Sequence, residues 1–296
     1  MKPAILLLFV FLLSVGVGFG QVKGVVTDKA TGKPVAFANI WVENENLGTT
    51  SSEKGEFSFS QTNLSGKTLV ISCLGYEKTK VTIPAGTLRV SLVPTAVALD
   101  VVTVKKSTKR RKFVINQLDE NTEYSFGSNG TPWIVAQYIP YKPGYAATPF
   151  LDEISLVTLS NVKNATFKLH LLRVGENGAP GKDLISAPLI GVAQKGIKTV
   201  KLDVSQYDVP MPENGLFIAF EWLILKQNRY EAVDPETGAK EVPARVSYEP
   251  SIRSYGPDNR SPNGWIYHQG KWVSTNQREG DAITSATPHF QLTLSN

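Results

Sequence analysis

The sequence predicts an all-β chain folded as two β-sandwich domains, and three observations carry that reading. Its 296 residues exceed the roughly 100–200 of one ordinary domain. Apolar side chains recur at alternate positions in a long series of short runs, the period of a half-buried strand. No amphipathic stretch longer than about two helical turns is evident. With 42% hydrophobic and 19% charged residues the chain can build sizeable cores, which excludes a disordered polymer. The 24 Gly and 18 Pro are scattered as punctuation, which excludes collagen-like and low-complexity readings.

Residues 1–20 read as a secretory signal. Lys2 supplies the positive start and Ala4–Val17 an apolar run of about 14 residues, short of the ~20 that span a bilayer. Gly18-Phe19-Gly20 then offers small residues for cleavage before Gln21. No Cys follows the run, which argues against a lipid anchor. Beyond it the most apolar stretch, Leu216–Leu225, is short and interrupted by Glu221, so no membrane span is expected in the mature chain. The single cysteine, Cys73, permits no internal disulfide, as in a bacterial exported protein that relies on core burial. It shares a face with Leu69 and Ile71 and reads as a small buried hydrophobe.

Residues 21–104 form the first expected domain. Val22–Val26, Ala38–Val42, Glu56–Phe59, Thr68–Cys73, Tyr76–Ile83 and Thr87–Leu92 are strand candidates, separated by turns such as Thr31-Gly32-Lys33-Pro34 and Glu53-Lys54-Gly55. Gly24-Val25-Val26-Thr27-Asp28, Thr31 to Val35, Ala38-Asn39-Ile40, Gly48-Thr49-Thr50-Ser51, Lys54-Gly55-Glu56-Phe57 and Leu74-Gly75-Tyr76 follow one another in a recognisable order. In that order they resemble carboxypeptidase-regulatory-like domains, the prealbumin-like seven-stranded sandwiches of exported Bacteroidota-type proteins. The resemblance implies a fold rather than peptidase activity. Ala98-Leu99-Asp100-Val101-Val102-Thr103-Val104 is similar to the segment that follows this module in TonB-dependent receptors, with Val101 where Glu is usual. Too little chain remains for a large transporter barrel, so the segment reads as the module's exit strand.

Residues 105–130 are expected to be a basic linker and polar lead-in. Loss of Lys2 leaves 30 basic against 26 acidic residues. Six of the basic ones, Lys105, Lys106, Lys109, Arg110, Arg111 and Lys112, sit in one tract. Basicity is therefore local, and a nucleic-acid partner is not expected. Residues 131–296 form the second expected domain, jelly-roll-like in its pattern, with strands at Trp133–Ile139, Ile154–Leu159, Thr166–Val174, Leu184–Val192, Thr199–Val204, Leu216–Leu225 and Phe290–Leu294. Phe167, Leu169 and Leu171 take one face of their strand, Lys168 and His170 the other. Leu216–Leu225, apolar on both faces, reads as a central strand covered on each side.

Motifs for chemistry are sparse. None of His170, His268 and His289 opens a His-Glu-x-x-His or His-x-x-Glu pattern, so no metal site is expected. There is no Gly-x-Ser-x-Gly elbow, and no cofactor is implied. Glycoside hydrolysis needs two facing carboxyl groups that sequence spacing cannot exclude; Glu221, a lone acid whose burial would raise its pKa, is the candidate for that rival reading. More suggestive is an aromatic group in a loop-rich stretch: Tyr248, Tyr255, Trp265, Tyr267 and Trp272, with Arg253, Asp258, Asn259, Arg260 and Asn263 among them. Sugar rings stack their C–H faces on such rings while polar neighbours bond the hydroxyls. Tyr255, Trp265, Tyr267, Trp272 and Arg253 are therefore the candidate ligand-binding residues, and sandwich core is the competing role for the rings. The resulting expectation is an exported, non-catalytic protein of a Gram-negative periplasm or cell surface that binds a glycan or another envelope protein. The rivals are a hydrolase in the second domain and an accessory of a TonB-linked uptake system.

Overall fold

The computed structural model describes residues 21–84, 86–95, 111–118, 123–234, 237–240, 245–255, 264–268, 270–275 and 287–296. The leader, Leu99–Val104, most of the basic tract, and Asp258, Asn259, Arg260 and Asn263 lie outside the described residues.

The first domain contains β1 (Lys23–Asp28), β2 (Asn39–Val42), β3 (Gly48–Thr50), β4 (Glu56–Ser58), β5 (Thr68–Ser72), β6 (Thr79–Thr82) and β7 (Leu88–Leu92). They make a three-stranded sheet β4-β1-β7 and a four-stranded sheet β3-β2-β5-β6. Alternation dictates the core between them: Ile40, Val42, Leu69 and Ile71 from one sheet meet Val26, Phe57, Leu88, Val90 and Leu92 from the other. Cys73 packs against this core, partly buried. The same alternation turns Asn39, Trp41 and, in register with Asn39, Thr50 to the opposite face of β3-β2-β5-β6. Strand β3 carries no apolar residue and gives no periodic signal; its register against β2 makes it a strand.

The second domain contains β8 (Lys112–Ile115), β9 (Ser125–Ser128), β10 (Ile134–Ile139), β11 (Phe150–Ser160), β12 (Ala165–Val174), β13 (Pro180–Asp183), β14 (Leu189–Ala193) and β15 (Gly196–Asp203). It continues with β16 (Leu216–Trp222), β17 (Arg229–Glu231), β18 (Val246–Tyr255), β19 (Gly264–His268), β20 (Lys271–Ser274), β21 (Thr287–Pro288) and β22 (Phe290–Ser295). One sheet runs β13-β12-β16-β10-β19-β20, with β14 also on β12. The other runs β17-β18-β11-β22-β8, with β15 on β11 and both β9 and β21 on β18. Between them Phe167, Leu169, Ile218, Phe220 and Trp222 meet Ile154, Leu156, Phe290 and Leu292 in one core. Phe167 stacks on Phe220 and Trp133 on Trp222, with centroids 4.7 and 5.0 Å apart. Among the described residues no helix is long and apolar enough to cross a membrane.

Two sequence expectations are corrected. The stretch 105–130 is not linker throughout, because β8 pairs with β22 and β9 with β18 inside the second domain. Lys112 of the basic tract lies on β8 and pairs with Asp152 at 2.7 Å while its side chain stays exposed, so it is part of the folded domain and not of a tether. The aromatic stretch from Tyr248 to Trp272 is not loop-rich where it is described: it carries β18, β19 and β20. Pro250 and the polar residues around it hide β18 from any periodicity test.

Candidate functional site

Cross-strand partners share a face of a sheet, so the register of the β12-β16-β10-β19-β20 sheet defines its outer surface in rows. One row reads Lys168, Glu221, Ile134, Tyr267, Trp272; the next reads His170, Ala219, Ala136, Trp265, Ser274; a third reads Leu172, Phe217, Tyr138. Charge gathers at one corner of this surface and aromatic rings at the other.

The charged corner is covered by the first domain. Asn39 Nδ2 donates to Glu221 Oε1 at 2.6 Å, and Lys168 Nζ donates to the Phe37 carbonyl at 3.2 Å. Further along the junction, Ile224 N donates to Thr50 Oγ1 at 2.9 Å and Thr131 Oγ1 to the Asn46 carbonyl at 3.2 Å. Gly48 allows the close approach: a Cβ there would lie 2.5 Å from the Pro132 ring. At the far edge Trp41 meets Tyr267 edge-on, with centroids 6.2 Å apart, and Lys78 Nζ donates to the Tyr267 hydroxyl at 3.3 Å.

Within the covered corner, Glu221 Oε2 accepts from Lys168 Nζ at 2.9 Å and pairs with His170 Nε2 at 2.7 Å, while His170 Nδ1 pairs with Asp183 at 2.9 Å. Burial opposes every charge here, but the partners outweigh it. Burial alone would raise the Glu221 carboxyl; the charge of Lys168 and the His170 contact instead bring it down to about 2. Burial likewise disfavours charged His170, yet Asp183 and Glu221 raise it to about 9. Lys168 is raised for the same reason, chiefly by Glu221 against burial. Two cations therefore face two anions. The expectation that burial would raise the pKa of Glu221 is overturned, because sequence could not show the Lys opposite it. With its side chain only 2% exposed, the carboxylate has no open approach for a substrate.

The aromatic corner is partly buried. Trp265 packs edge-on against Phe217, with centroids 6.1 Å apart, and Tyr138 lies beside Phe217 at 5.2 Å. Trp272 packs on Tyr267 at 5.2 Å. Beneath these rings Ala136 and Ala219 are fully buried, forming with Leu172 and Phe217 a small apolar layer outside the main core. The predicted residues thus divide. Trp265 and Trp272 stand on this surface, whereas Tyr267 is engaged by Trp41 and Lys78 of the first domain. Tyr255 and Arg253 are on β18 in the other sheet and do not join them. Tyr255 stacks on His289 at 4.1 Å and bonds Gln137; burial raises its hydroxyl pKa. Arg253 is half-buried, and its Nε has no hydrogen bond among the described residues. Sequence reasoning put Lys168 and His170 on one strand face without giving them a role, and did not single out Tyr138, Trp41 or the partners Asp183 and Asn39. An alternating Lys-x-His opposite a lone Glu was the available signal, but strand neighbours had to be known to use it. Among the described residues no group of three or more His, Cys, Asp or Glu could hold a metal ion.

Residues 22–104 match the CarboxypepD_reg-like domain family. No curated protein matches the chain. Solved structures similar to it include the cysteine protease and lectin-like domains of Cwp84, a surface-layer-associated protein of Clostridium difficile, at 11% identity and TM-score 0.38, covering 88% of this chain and 58% of that one. The chain thus spans less than two-thirds of that protein's length. A candidate carbohydrate-binding protein from Bacteroides uniformis aligns at 11% identity and TM-score 0.22, covering 78% of this chain and 96% of that one. A candidate membrane-associated protein of unknown function from Bacteroides fragilis aligns at 10% identity and TM-score 0.20, covering 93% and 97%. All three scores fall below the level that marks a shared fold.

Proposed function

We propose that this chain, whose residues 22–104 form a carboxypeptidase-regulatory-like domain, is an exported, non-catalytic envelope protein that binds a glycan on the aromatic corner of its second domain. The observation that carries this reading is the placement of Trp265, Trp272 and Tyr138 on one sheet face, only partly buried and outside the contacts made by the first domain. Rings spread over three neighbouring rows of one face suit the C–H faces of sugar rings, and a rigid sheet fixes their spacing. The first domain acts as a rigid partner that braces the binding sheet from its other corner. The non-catalytic part of the reading rests on Glu221, whose carboxylate is committed to Lys168, His170 and Asn39.

A glycan array probed with the full chain tests the proposal. Binding to at least one neutral glycan is expected, with Trp265→Ala and Trp272→Ala each weakening it by about tenfold or more, the scale of a lost aromatic anchor. Silence across the neutral glycans of the array, or neutral-glycan binding untouched by both substitutions, overturns it.

A further inference from the structure

The junction that buries Glu221 also creates a cleft between the domains, away from the aromatic corner. Its volume is about 1160 Å³, and it lies on the side where Thr50 meets Ile224. One wall is made by the edge strands β3 and β4 with parts of β1 and β7; the other comes from residues 129–130, 224–227 and 229, Val246 and Tyr248 of the second domain. The cross-domain bonds of Asn39, Lys168, Thr50 and Thr131 fix the two walls, so the cleft is preformed.

Its charge is one-sided. Lys23, Arg89, Lys226 and Arg229 line it, against Glu56 as the one acid among the lining residues. Arg229 pairs with Glu231, which is not in the lining, while Lys23, Arg89 and Lys226 make no ion pair among the described residues. The cations come from both walls, so a single ligand can meet charge on either side. Of the apolar lining residues, Phe57, Leu88, Ile224 and Leu225 are at most 8% exposed, while Pro34, Leu47, Val246 and Tyr248 are more open and offer surface to the C–H faces of sugar rings. Amide and hydroxyl groups such as Gln61, Gln227, Asn129 and Ser58 are interspersed with the cations. The structure assigns this cleft to a linear anionic oligosaccharide, whose carboxylate or sulfate groups meet Lys23, Arg89 and Lys226 while its hydroxyls meet the amides. This site is independent of the aromatic corner.

The test is calorimetric titration of the full chain with three hexasaccharides: galacturonic acid, heparin, and neutral galactose. The galacturonate or the heparin oligomer is expected to bind, whichever charge group the site prefers, with affinity falling as salt is raised; the neutral oligomer is not. Arg89→Glu and Lys226→Glu, both exposed changes that should leave the melting temperature in place, are each expected to weaken binding at least about tenfold. Trp265→Ala is expected to leave it unchanged, which separates this site from the proposed aromatic one. Equal binding of the neutral oligomer, failure of both anionic ones, indifference to the two charge reversals, or loss on Trp265→Ala would each overturn the assignment.

Discussion

The two corners of one sheet face invert the usual arrangement of a protein surface. Where the first domain covers it, the face carries two cations and two anions; where solvent reaches it, the face carries tryptophan and tyrosine. An apolar contact would hold two sandwiches together in many orientations. The ionic corner holds them in one, because Glu221 must meet Asn39 while Lys168 meets the Phe37 carbonyl, and the pairing of Glu221 with Lys168 and His170 inside the second domain keeps both groups in place for those bonds. Burying an ion pair adds little net stability, but leaving one member without its partners is costly. The covered corner therefore sets register, and the open corner is left free for a ligand.

The strongest way to break this contrast is to remove the carboxylate. Glu221→Ala leaves Lys168 and His170 buried against Asp183 alone, and about 3–5 kcal/mol of stability should be lost. Thermal unfolding would show it, and small-angle scattering would show the domains separating. A Glu221→Met, Lys168→Met double variant should recover much of that loss by replacing the pair with apolar volume. If the single variant melts within about 1 kcal/mol of the parent, the ionic corner does not govern docking.

Titration sharpens the same point. Folding holds His170 at about 9 against an ordinary 6.5, so its contribution is complete below about 6.5 and is lost as pH rises through about 9. Glu221, held at about 2 against 4.5, contributes fully above about 4.5 and loses that contribution as pH falls toward 2. The stability maximum should fall between these limits, near pH 5–6. From pH 6 to 9.5 a loss on the order of 3 kcal/mol is expected, and His170→Gln should flatten that slope. A parent protein equally stable at both pH values would remove His170 from the account.

How much of this was legible in the sequence differs between the regions for physical reasons. The first domain was readable because its core is local alternation: Phe57 and Phe59, or Leu88, Val90 and Leu92, declare their face within a few residues. Strand β3 was not, since Gly48-Thr49-Thr50 is chosen for close approach to Pro132 and for the Ile224 bond, neither of which leaves a periodic trace. In the second domain β16 announced itself as a doubly covered strand, and simple alternation puts Trp265 and Tyr267 on one face of β19. What covers them was not readable. Lys168 lies 53 residues before Glu221, and Asn39 is 182 residues from it. Long-range pairing decides that interaction, and composition carries no record of it. Grouping Arg253 and Tyr255 with the tryptophans failed similarly: nearness along the chain was taken for nearness in space, while β18 and β19 belong to different sheets.

Gly48 offers a milder perturbation of the covered side. A Gly48→Val change places a Cβ about 2.5 Å from Pro132 without touching any charge. Overpacking of this kind typically costs about 1–3 kcal/mol. It should push the domains apart while the ionic partners remain present, so the pH slope should shrink along with the melting temperature. An unchanged slope would mean that the ion cluster tolerates displacement of the first domain.

The open corner should respond least in stability. Trp272 lies on β20, at the edge of its sheet, packed against Tyr267 and only partly buried. Trp272→Ala forfeits an aromatic pair worth about 0.5–1.5 kcal/mol and part of a half-buried ring's apolar contact. Unlike Glu221→Ala, it leaves no buried polar group without a partner. A shift in melting temperature of no more than a few degrees is expected, and the pH slope should match the parent's because His170 keeps its partners. Loss of glycan binding from a variant that melts this normally would place the ring's main role outside the fold. A large drop in stability would show instead that Trp272 is core, held half-open only because its sheet ends there.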